Sequence, residues 1–408
     1  MNIVLNNIGQ LATCPPEASQ QDAGLIQQAA LVVEGQQISW VGPQSRLPQV
    51  YNDLETFDCK SQLVIPGLVD CHTHLCFGGW RGDEFAMRIG GASYQEIAAA
   101  GGGIRSTVSA TRAASKDELI SKAKGVLDQA LALGVTTMEC KSGYGLDVNN
   151  ELKQLEVYSA LNQSHAIELV ATFLGAHIIP SEYTHRREEY VSLLCNELMP
   201  EIVSRGLARY CDVFLETSAY SEKEARTILS TARDLGLGLK VHADQLSSGG
   251  GAELAAEMGA ISAEHLEYIS DRGIAAMAAS RTIAVSLPIA SLYLGQGYLP
   301  ARRLIEAGVE VAVATDFNPG SSPSFHLPLA MTLACINQKM TPAESLRGAT
   351  AIAARAVGLE GKAGSLTVGS NADIAMMDAP DLNHWLYHFQ PNACTAVMKS
   401  GRWETSSF

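Results

Sequence analysis

Short apolar runs alternate along the middle of this chain with longer stretches in which apolar residues recur every three or four positions. The runs are rich in Val, Ile and Leu and predict strands, whereas the stretches between them predict helices, for example at 117–133, 222–235 and 251–258. The eight predicted strands are 63–75, 135–142, 167–177, 209–216, 239–244, 261–266, 282–288 and 309–316.

Eight strand and helix units in succession are typical of a (β/α)8 TIM barrel. A doubly wound sheet also alternates strands with helices, but no Gly-rich dinucleotide fingerprint follows the first predicted strand. We therefore expect an α/β chain built around a barrel.

The two ends of the chain have a different pattern, with short strand-like runs broken by Pro and Gly. These runs lie at 29–33, 37–41, 365–368, 373–378 and 393–400. Because neither end alone buries a face, we expect both to form one small β-sandwich domain. The predicted domains are residues 1–62 and 362–408, which make up the two parts of the sandwich, and the barrel at 63–361.

Between barrel and tail the sequence predicts one well-delimited helix. Thr341, Pro342 and Glu344 supply an N-cap, a proline in the first turn and the acid of a capping box, and Gly358 marks the far end.

Composition narrows the class of protein. The 408 residues are 47% hydrophobic and 18% charged, which is ordinary for a soluble globular protein, and a net charge of -14 argues against a nucleic-acid partner. The nine cysteines are scattered without a CxxC pair, and no apolar stretch is long enough to cross a membrane. We expect a cytoplasmic protein with reduced thiols, no membrane partner and, by default for such a protein, a homodimer.

Candidate chemistry begins where the first predicted strand ends. His72 and His74 are spaced i, i+2, so a strand turns both imidazoles to the same face, where they can converge on one metal ion. Cys71 and Cys76 flank these histidines, but Cys71 falls on the opposite face of the strand from its neighbour His72.

Four more polar residues follow predicted strands at their carboxyl ends, where barrel enzymes place their active sites. They are His177, His242, His265 and Asp316. Each alone has an ordinary structural explanation, but their coincidence at strand ends favours a metal site. Imidazoles and a carboxylate suit one Zn²⁺ or Fe²⁺ ion, which lowers the pKa of water from ~15.7 toward about 7. Asp316 and His265 are then the candidates for proton transfer.

Several sequence blocks resemble the amidohydrolase superfamily of metal-dependent barrel hydrolases. The superfamily resemblance rests on PGLVDCHTHL, VHAD, AEHLE and VATDFNPGS. Longer blocks, including MECKSGYGLD and FLGAHIIP, resemble its imidazolonepropionase family over nearly the whole chain. The resemblance implies hydrolysis of the cyclic amide C–N bond of 4-imidazolone-5-propanoate to N-formimino-L-glutamate in histidine degradation.

The resemblance also implies roles for individual residues. The implied metal ligands are His72, His74, His242 and Asp316. The implied substrate-binding residues are Arg81, Tyr94, Tyr144, His177, Asn318, Gly320 and Ser321. The chemistry is compatible, because an Arg81 guanidinium can bind a propionate carboxylate with two hydrogen bonds.

One position departs from part of the family. Some relatives carry a glutamate three residues after the third histidine ligand, and this chain has Gln245. A neutral amide cannot accept a proton at neutral pH, so we expect Gln245 to orient substrate or water and Asp316, assisted by His265, to act as the base.

Two alternatives remain open at this point. The first is another cyclic amidohydrolase or a heterocycle deaminase on the same scaffold, because a fold does not choose its substrate. The second is a barrel that has lost catalysis and serves as a scaffold.

Overall fold

The computed structural model describes residues 1–92, 96 and 101–406 of the chain. It contains two eight-stranded sheets, one built from the ends of the chain and one from its middle. Among the described residues, no helix is long and apolar enough to cross a bilayer.

The middle of the chain forms a sheet of parallel neighbours in sequence order, as the alternating pattern predicts. Its strands are β6 (Leu68–Asp70), β7 (Val135–Lys141), β8 (Glu168–Ala176), β9 (Tyr210–Leu215), β10 (Gly238–Ala243), β11 (Ser262–His265), β12 (Ile283–Ser286) and β13 (Val311–Val313). Just beyond β6 and β13 the two edges meet, because Thr73 and Phe317 form a parallel bridge. The prediction of a TIM barrel is therefore confirmed.

Helices follow the barrel strands and cover the outside of the barrel. The described helices are α1 (Gly82–Ile89), α2 (Ile104–Ala113), α3 (Lys116–Ala132), α4 (Val148–Ser164), α5 (Arg187–Leu193), α6 (Met199–Ser204), α7 (Glu222–Asp234), α8 (Gly251–Met258), α9 (Asp271–Ser280), α10 (Pro288–Leu294), α11 (Ala301–Glu306), α12 (Leu327–Gln338), α13 (Pro342–Gly348), α14 (Ala351–Ala356) and α15 (Leu382–His388). A π-helical turn, Leu194–Leu198, joins α5 to α6.

The two ends of the chain form one curled sheet. Its strands are β1 (Asn2–Ala12), β2 (Leu25–Glu34), β3 (Gln37–Pro43), β4 (Glu55–Asp58), β5 (Leu63–Pro66), β14 (Ile374–Met377), β15 (Cys394–Lys399) and β16 (Arg402–Ser406). The strand order runs from β16 through β5 and β1 to β3, and a bridge between Gln37 and Asn371 brings the two arms together. Apolar side chains from both arms share one core. The separate β-domain expected from the sequence is therefore present, and residues 365–368 contribute no strand to it.

The first predicted barrel strand is divided between the two sheets. Residues 63–66 form β5, which pairs with β1 and β14, so the prediction of one continuous barrel strand over 63–75 is wrong. The chain crosses between the sheets at Gly67, whose amide donates to the Asp373 carbonyl oxygen. A Cβ at Gly67 would lie 2.3 Å from Thr136 Oγ1 on β7, so the crossing has no room for a side chain. The division of the chain at residues 62 and 361 stays a prediction.

The helix predicted after the barrel is two helices. Thr341 and Glu344 form the expected capping box, but α13 ends at Gly348 and α14 begins at Ala351. The break has a structural cause, because the Ala349 carbonyl oxygen accepts a hydrogen bond from the Val69 amide of β6. This hydrogen bond ties the segment between α13 and α14 to the barrel edge.

Candidate metal centre

The backbone beyond β6 and β13 brings the first histidines and the aspartate together. Asp316 N donates to the His72 carbonyl oxygen at 3.0 Å, and His74 N donates to the Phe317 carbonyl oxygen at 2.8 Å. Asp316 adopts a φ of 55°, a left-handed conformation that is uncommon outside glycine and that functional sites often hold. Two segments far apart in sequence therefore present their side chains to the same point.

Four polar side chains converge at that point. Asp316 Oδ1 lies 3.3 Å from His72 Nε2 and 3.5 Å from His74 Nε2. The ring centroid of His242 lies 4.7 Å from that of His72 and 5.5 Å from that of His74. Three imidazoles and one carboxylate at this spacing form a donor set that suits a tetrahedral or five-coordinate divalent ion.

The far side of two of these rings contacts buried carboxylates. His72 Nδ1 lies 2.7 Å from Glu264 Oε2, and His242 Nδ1 lies 2.9 Å from Asp212 Oδ2. Carboxylates at Nδ1 fix the tautomer and aim Nε2 at a metal. Consistent with this, His242 Nε2 is buried and has no hydrogen-bond partner among the described residues.

The charge around the centre also fits a divalent cation. Asp316 and the fully buried side chains of Glu139, Asp212 and Glu264 supply four carboxylates, and two buried ammonium groups, Lys141 and Lys240, lie among them. If all are ionised, two negative charges are left over, and a buried charge is costly unless it is paired or coordinates a metal. Although burial raises the pKa of Asp316, its contacts with His72 and His74 outweigh that effect and hold the pKa well below the usual range. The Asp316 carboxylate is therefore anionic and suited to face a cation.

A cavity of about 250 Å³ opens over this quartet at the carboxyl end of the strands. The cavity is lined by most of the residues that the sequence analysis names as candidate site residues. They are His74, Arg81, Tyr144, His177, His242, Gln245, His265, Asp316, Asn318, Gly320 and Ser321. His72 lies just below them and is fully buried. Tyr94, the remaining residue predicted to bind substrate, lies outside the described residues.

His265 and Gln245 occupy the wall beside His242. The His265 ring centroid lies 5.3 Å from that of His242, and its backbone φ of 77° turns the chain sharply at the end of β11. Gln245 is 9% exposed and faces the same cavity. Both side chains are close enough to the quartet to contact a molecule bound over it.

Tyr144 and His177 form the opposite wall. The His177 ring stacks on His74 with centroids 5.3 Å apart, and its Nδ1 lies 3.1 Å from the Gly143 carbonyl oxygen. Burial raises the pKa of Tyr144, so its hydroxyl stays protonated and can donate a hydrogen bond. Glu151 organises the segment that carries Tyr144 by accepting hydrogen bonds from the amides of Gly143, Gly145 and Leu146.

Arg81 and the loop after Asp316 close the cavity on the side of β13. The Arg81 guanidinium is held by Glu84, with Nη2 and Nε at 2.7 and 2.8 Å from Glu84 Oε2. Asn318 Oδ1 accepts hydrogen bonds from the amides of Gly320 and Ser321, both at 2.8 Å. A Cβ at Gly320 would lie 2.2 Å from Arg81 Nη1, so the glycine leaves the space that the guanidinium occupies.

Comparisons with known proteins identify the family of this chain. A model of the amidohydrolase family matches residues 63–403. The imidazolonepropionase of Symbiobacterium thermophilum is 46% identical over 98% of this chain and 97% of its own. That of Treponema denticola is 47% identical over 91% of each chain.

The chain belongs to the amidohydrolase family.

Solved structures show the same fold at low sequence identity. A triazine hydrolase variant superposes with a TM-score of 0.77 at 17% identity, covering 99% of this chain and 95% of its own. The 5-methylcytosine deaminase of Klebsiella pneumoniae gives a TM-score of 0.76 at 16% identity, covering 100% of this chain and 98% of its own. These structures show the fold. The family match and the nearly full-length relatives make this chain a hydrolase that acts on a small molecule, and the family and the quartet together indicate a divalent metal.

Sequence reasoning missed part of the amidohydrolase site. The cavity is also lined by Arg88, Ile104, Phe214 and Leu294. The charged side chains below the histidines, Glu139, Lys141, Asp212, Lys240 and Glu264, were missed too. The sequence contains one signal for these charges. Glu139 and Lys141 are spaced i, i+2 on one predicted strand, and Lys240 and His242 have the same spacing on another, which places the two residues of each pair on the same face.

Proposed function

We propose that this protein hydrolyses 4-imidazolone-5-propanoate to N-formimino-L-glutamate. The observation that carries the proposal is the cavity that combines the three-histidine, one-carboxylate quartet with Arg81 at its edge. The relatives that share almost the full length of the chain are imidazolonepropionases, which supports the same reaction.

The proposed ligands of the metal are His72, His74, His242 and Asp316, with one Zn²⁺ or Fe²⁺ per chain. When bound, such an ion supplies Lewis acidity, which polarises a carbonyl group and lowers the pKa of water. Nitrogen and carboxylate donors suit both metals. Metal analysis of the purified protein, prepared with and without oxygen, distinguishes them.

The cavity residues would bind and orient the substrate. Arg81 would bind the propionate carboxylate through its guanidinium, which Glu84 holds on one side. Tyr144 and His177, on the opposite wall, would contact the ring, and the loop of Asn318, Gly320 and Ser321 would close over it. Tyr94, predicted to bind substrate, stays a prediction.

The hydrolysis requires one proton to leave water and one to reach the departing nitrogen. A water oxygen bonds to the ring carbonyl carbon, the C–N bond breaks, and the nitrogen takes up a proton. Asp316 is the proposed proton acceptor, and Ser321 Oγ, 3.4 Å from Asp316 Oδ2, helps to hold its carboxylate. His265 assists the transfer and Gln245 orients substrate or water.

Substrate assays test the proposed function. The purified protein is assayed in parallel with 4-imidazolone-5-propanoate, hydantoin, dihydroorotate and cytosine. We expect turnover of the first compound, with loss after chelation and recovery on adding metal. Turnover of one of the other three instead would contradict the substrate, and a stable protein without metal or turnover would contradict the enzyme. The homodimer stays a prediction, which light scattering of the purified protein would test.

A further inference from the structure

Among the described residues, five charged side chains with no exposed area cluster in the interior of the barrel below the histidines. They lie on β7, β9, β10 and β11 and are Glu139, Lys141, Asp212, Lys240 and Glu264. Buried charges of this number are costly unless they are paired, and here each carboxylate contacts an ammonium group. The reaction proposed above assigns them no part.

One ammonium group is shared by the two carboxylates that hold the metal-site histidines. Lys141 Nζ lies 2.9 Å from Glu264 Oε2 and 2.8 Å from Asp212 Oδ2. These are the same oxygen atoms that contact His72 Nδ1 and His242 Nδ1. A single side chain therefore connects both histidine–carboxylate pairs.

Lys240 provides a natural contrast within the same cluster. Its Nζ lies 3.3 Å from Glu264 Oε1 and 3.3 Å from Glu139 Oε1. In the described part of the chain, no histidine forms an ion pair with either oxygen. The two lysines are equally buried and equally charged, but only Lys141 contacts the oxygens that hold the rings.

We propose that Lys141 is a positioning residue of the metal centre. Its ammonium group lies between two carboxylates that would otherwise repel each other, and it thereby fixes the oxygens that aim His72 Nε2 and His242 Nε2. One oxygen each of Asp212 and Glu264 lies within 4.8 Å of a His242 nitrogen and of one another, a group that could itself hold a cation. The Lys141 ammonium supplies that cation, so the carboxylates act on the histidines and do not compete for metal. This inference rests on the proposed ligands.

Metal binding by two matched variants tests the inference. Lys141→Met and Lys240→Met each remove one buried ammonium and keep a side chain of similar length. The metal-free proteins are titrated with Co²⁺, and the visible absorption of the bound ion reports its coordination. We expect Lys141→Met to bind Co²⁺ about 10–100-fold more weakly with an altered spectrum, as for other residues that orient metal ligands. Lys240→Met should bind within about threefold of the unsubstituted protein, because it contacts neither histidine-holding oxygen.

Controls separate positioning from general stability. Circular dichroism and the thermal midpoint of each metal-free variant are measured first, and Lys141→Gln replaces Lys141→Met if the latter does not fold. Lys141→Arg, which keeps the charge, should recover part of the lost affinity. Equal weakening by the Lys141 and Lys240 variants, or an unchanged Co²⁺ affinity and spectrum in the Lys141 variant, would overturn the inference. Failure of the unsubstituted protein to bind Co²⁺ would instead overturn the proposed metal site, and this inference with it.

Discussion

The interiors of the two eight-stranded sheets differ in the polarity of their side chains. The sheet formed by the chain ends packs apolar side chains such as Leu5, Leu31 and Met398 against one another, all fully buried. The barrel sheet instead surrounds buried charges, among them Lys141 and Glu264. The side chains named in both interiors are equally buried, so burial alone does not explain the difference.

The comparison teaches where stability and function reside. Burial of apolar side chains is enough to stabilise the sheet formed by the chain ends, which we call the terminal sheet. A buried ion-pair cluster, by contrast, is often no more stabilising than apolar residues of similar volume, so its presence in the barrel calls for another reason. That reason, in our interpretation, is the orientation of the metal-site histidines.

The largest expected effect is the loss of a proposed ligand. His242→Ala removes a proposed ligand whose Nε2 has no hydrogen-bond partner among the described residues, so we expect kcat/KM to fall at least about 1000-fold, or about 4 kcal/mol of barrier. Metal content should fall with it, as measured by elemental analysis. His384→Ala, at an exposed position, is the control. Full metal content and activity in His242→Ala would remove this histidine from the site.

A substitution in the core of the terminal sheet should lower stability and leave activity nearly unchanged. Leu31→Ala truncates a fully buried side chain and should lower the free energy of unfolding by about 2–5 kcal/mol. Activity per folded molecule should stay within about twofold, because no residue of this core is among the described residues that line the cavity. Leu25→Ala, on the same strand but 47% exposed, should cost less than about 0.5 kcal/mol. A large loss of activity in folded Leu31→Ala would show that the two sheets are coupled.

Substrate binding should respond to Arg81 more moderately. Arg81→Met removes the proposed partner of the propionate, a charged hydrogen bond, and should lower kcat/KM about 10–100-fold, mainly through KM. Steady-state kinetics measure the change, and the exposed Arg105→Met is the matched control. A normal KM in Arg81→Met would assign the carboxylate to another group.

Sequence patterns predicted the two sheets and the positions of the histidines, but they did not predict the chain crossing, the helix break or the buried charges. The i, i+2 spacing of His72 and His74 and the strand-end position of Asp316 were enough to place them, because strand periodicity and barrel topology are regular. The crossing at Gly67 and the break after Gly348 depend on contacts with distant strands, at Thr136 and Val69. Such contacts leave no local pattern in the sequence.

The buried charges were missed for a related reason. Lys141 was part of a predicted strand, and its position on the inner face followed from the alternation. Its partners Asp212 and Glu264, however, come from strands far along the chain. The pairing of these three charges across the barrel interior depends on the register of the five strands from β7 to β11, which no single segment encodes.

A smaller effect is expected where the loop meets Arg81. Gly320→Ala would place a Cβ 2.2 Å from Arg81 Nη1, so the guanidinium must shift and KM should rise about 3–10-fold. In the Arg81→Met background the same substitution should have little effect, because the clash is gone, and the double-mutant cycle measures this coupling. Gly297→Ala, with open space around its added Cβ, is the control. Additive effects would separate the loop from Arg81.

The smallest effect is expected at Gln245, and it tests which residue accepts the proton from water. If Asp316 accepts the proton, a carboxylate at position 245 adds no necessary base, so Gln245→Glu should leave kcat within about threefold and the pH profile unchanged. Gln245→Ala, which removes the amide, should raise KM slightly if Gln245 only orients substrate or water. Rates across pH for both variants decide the matter. A rise in kcat of tenfold or more in Gln245→Glu would move the base to this wall of the cavity and leave Asp316 as a ligand only.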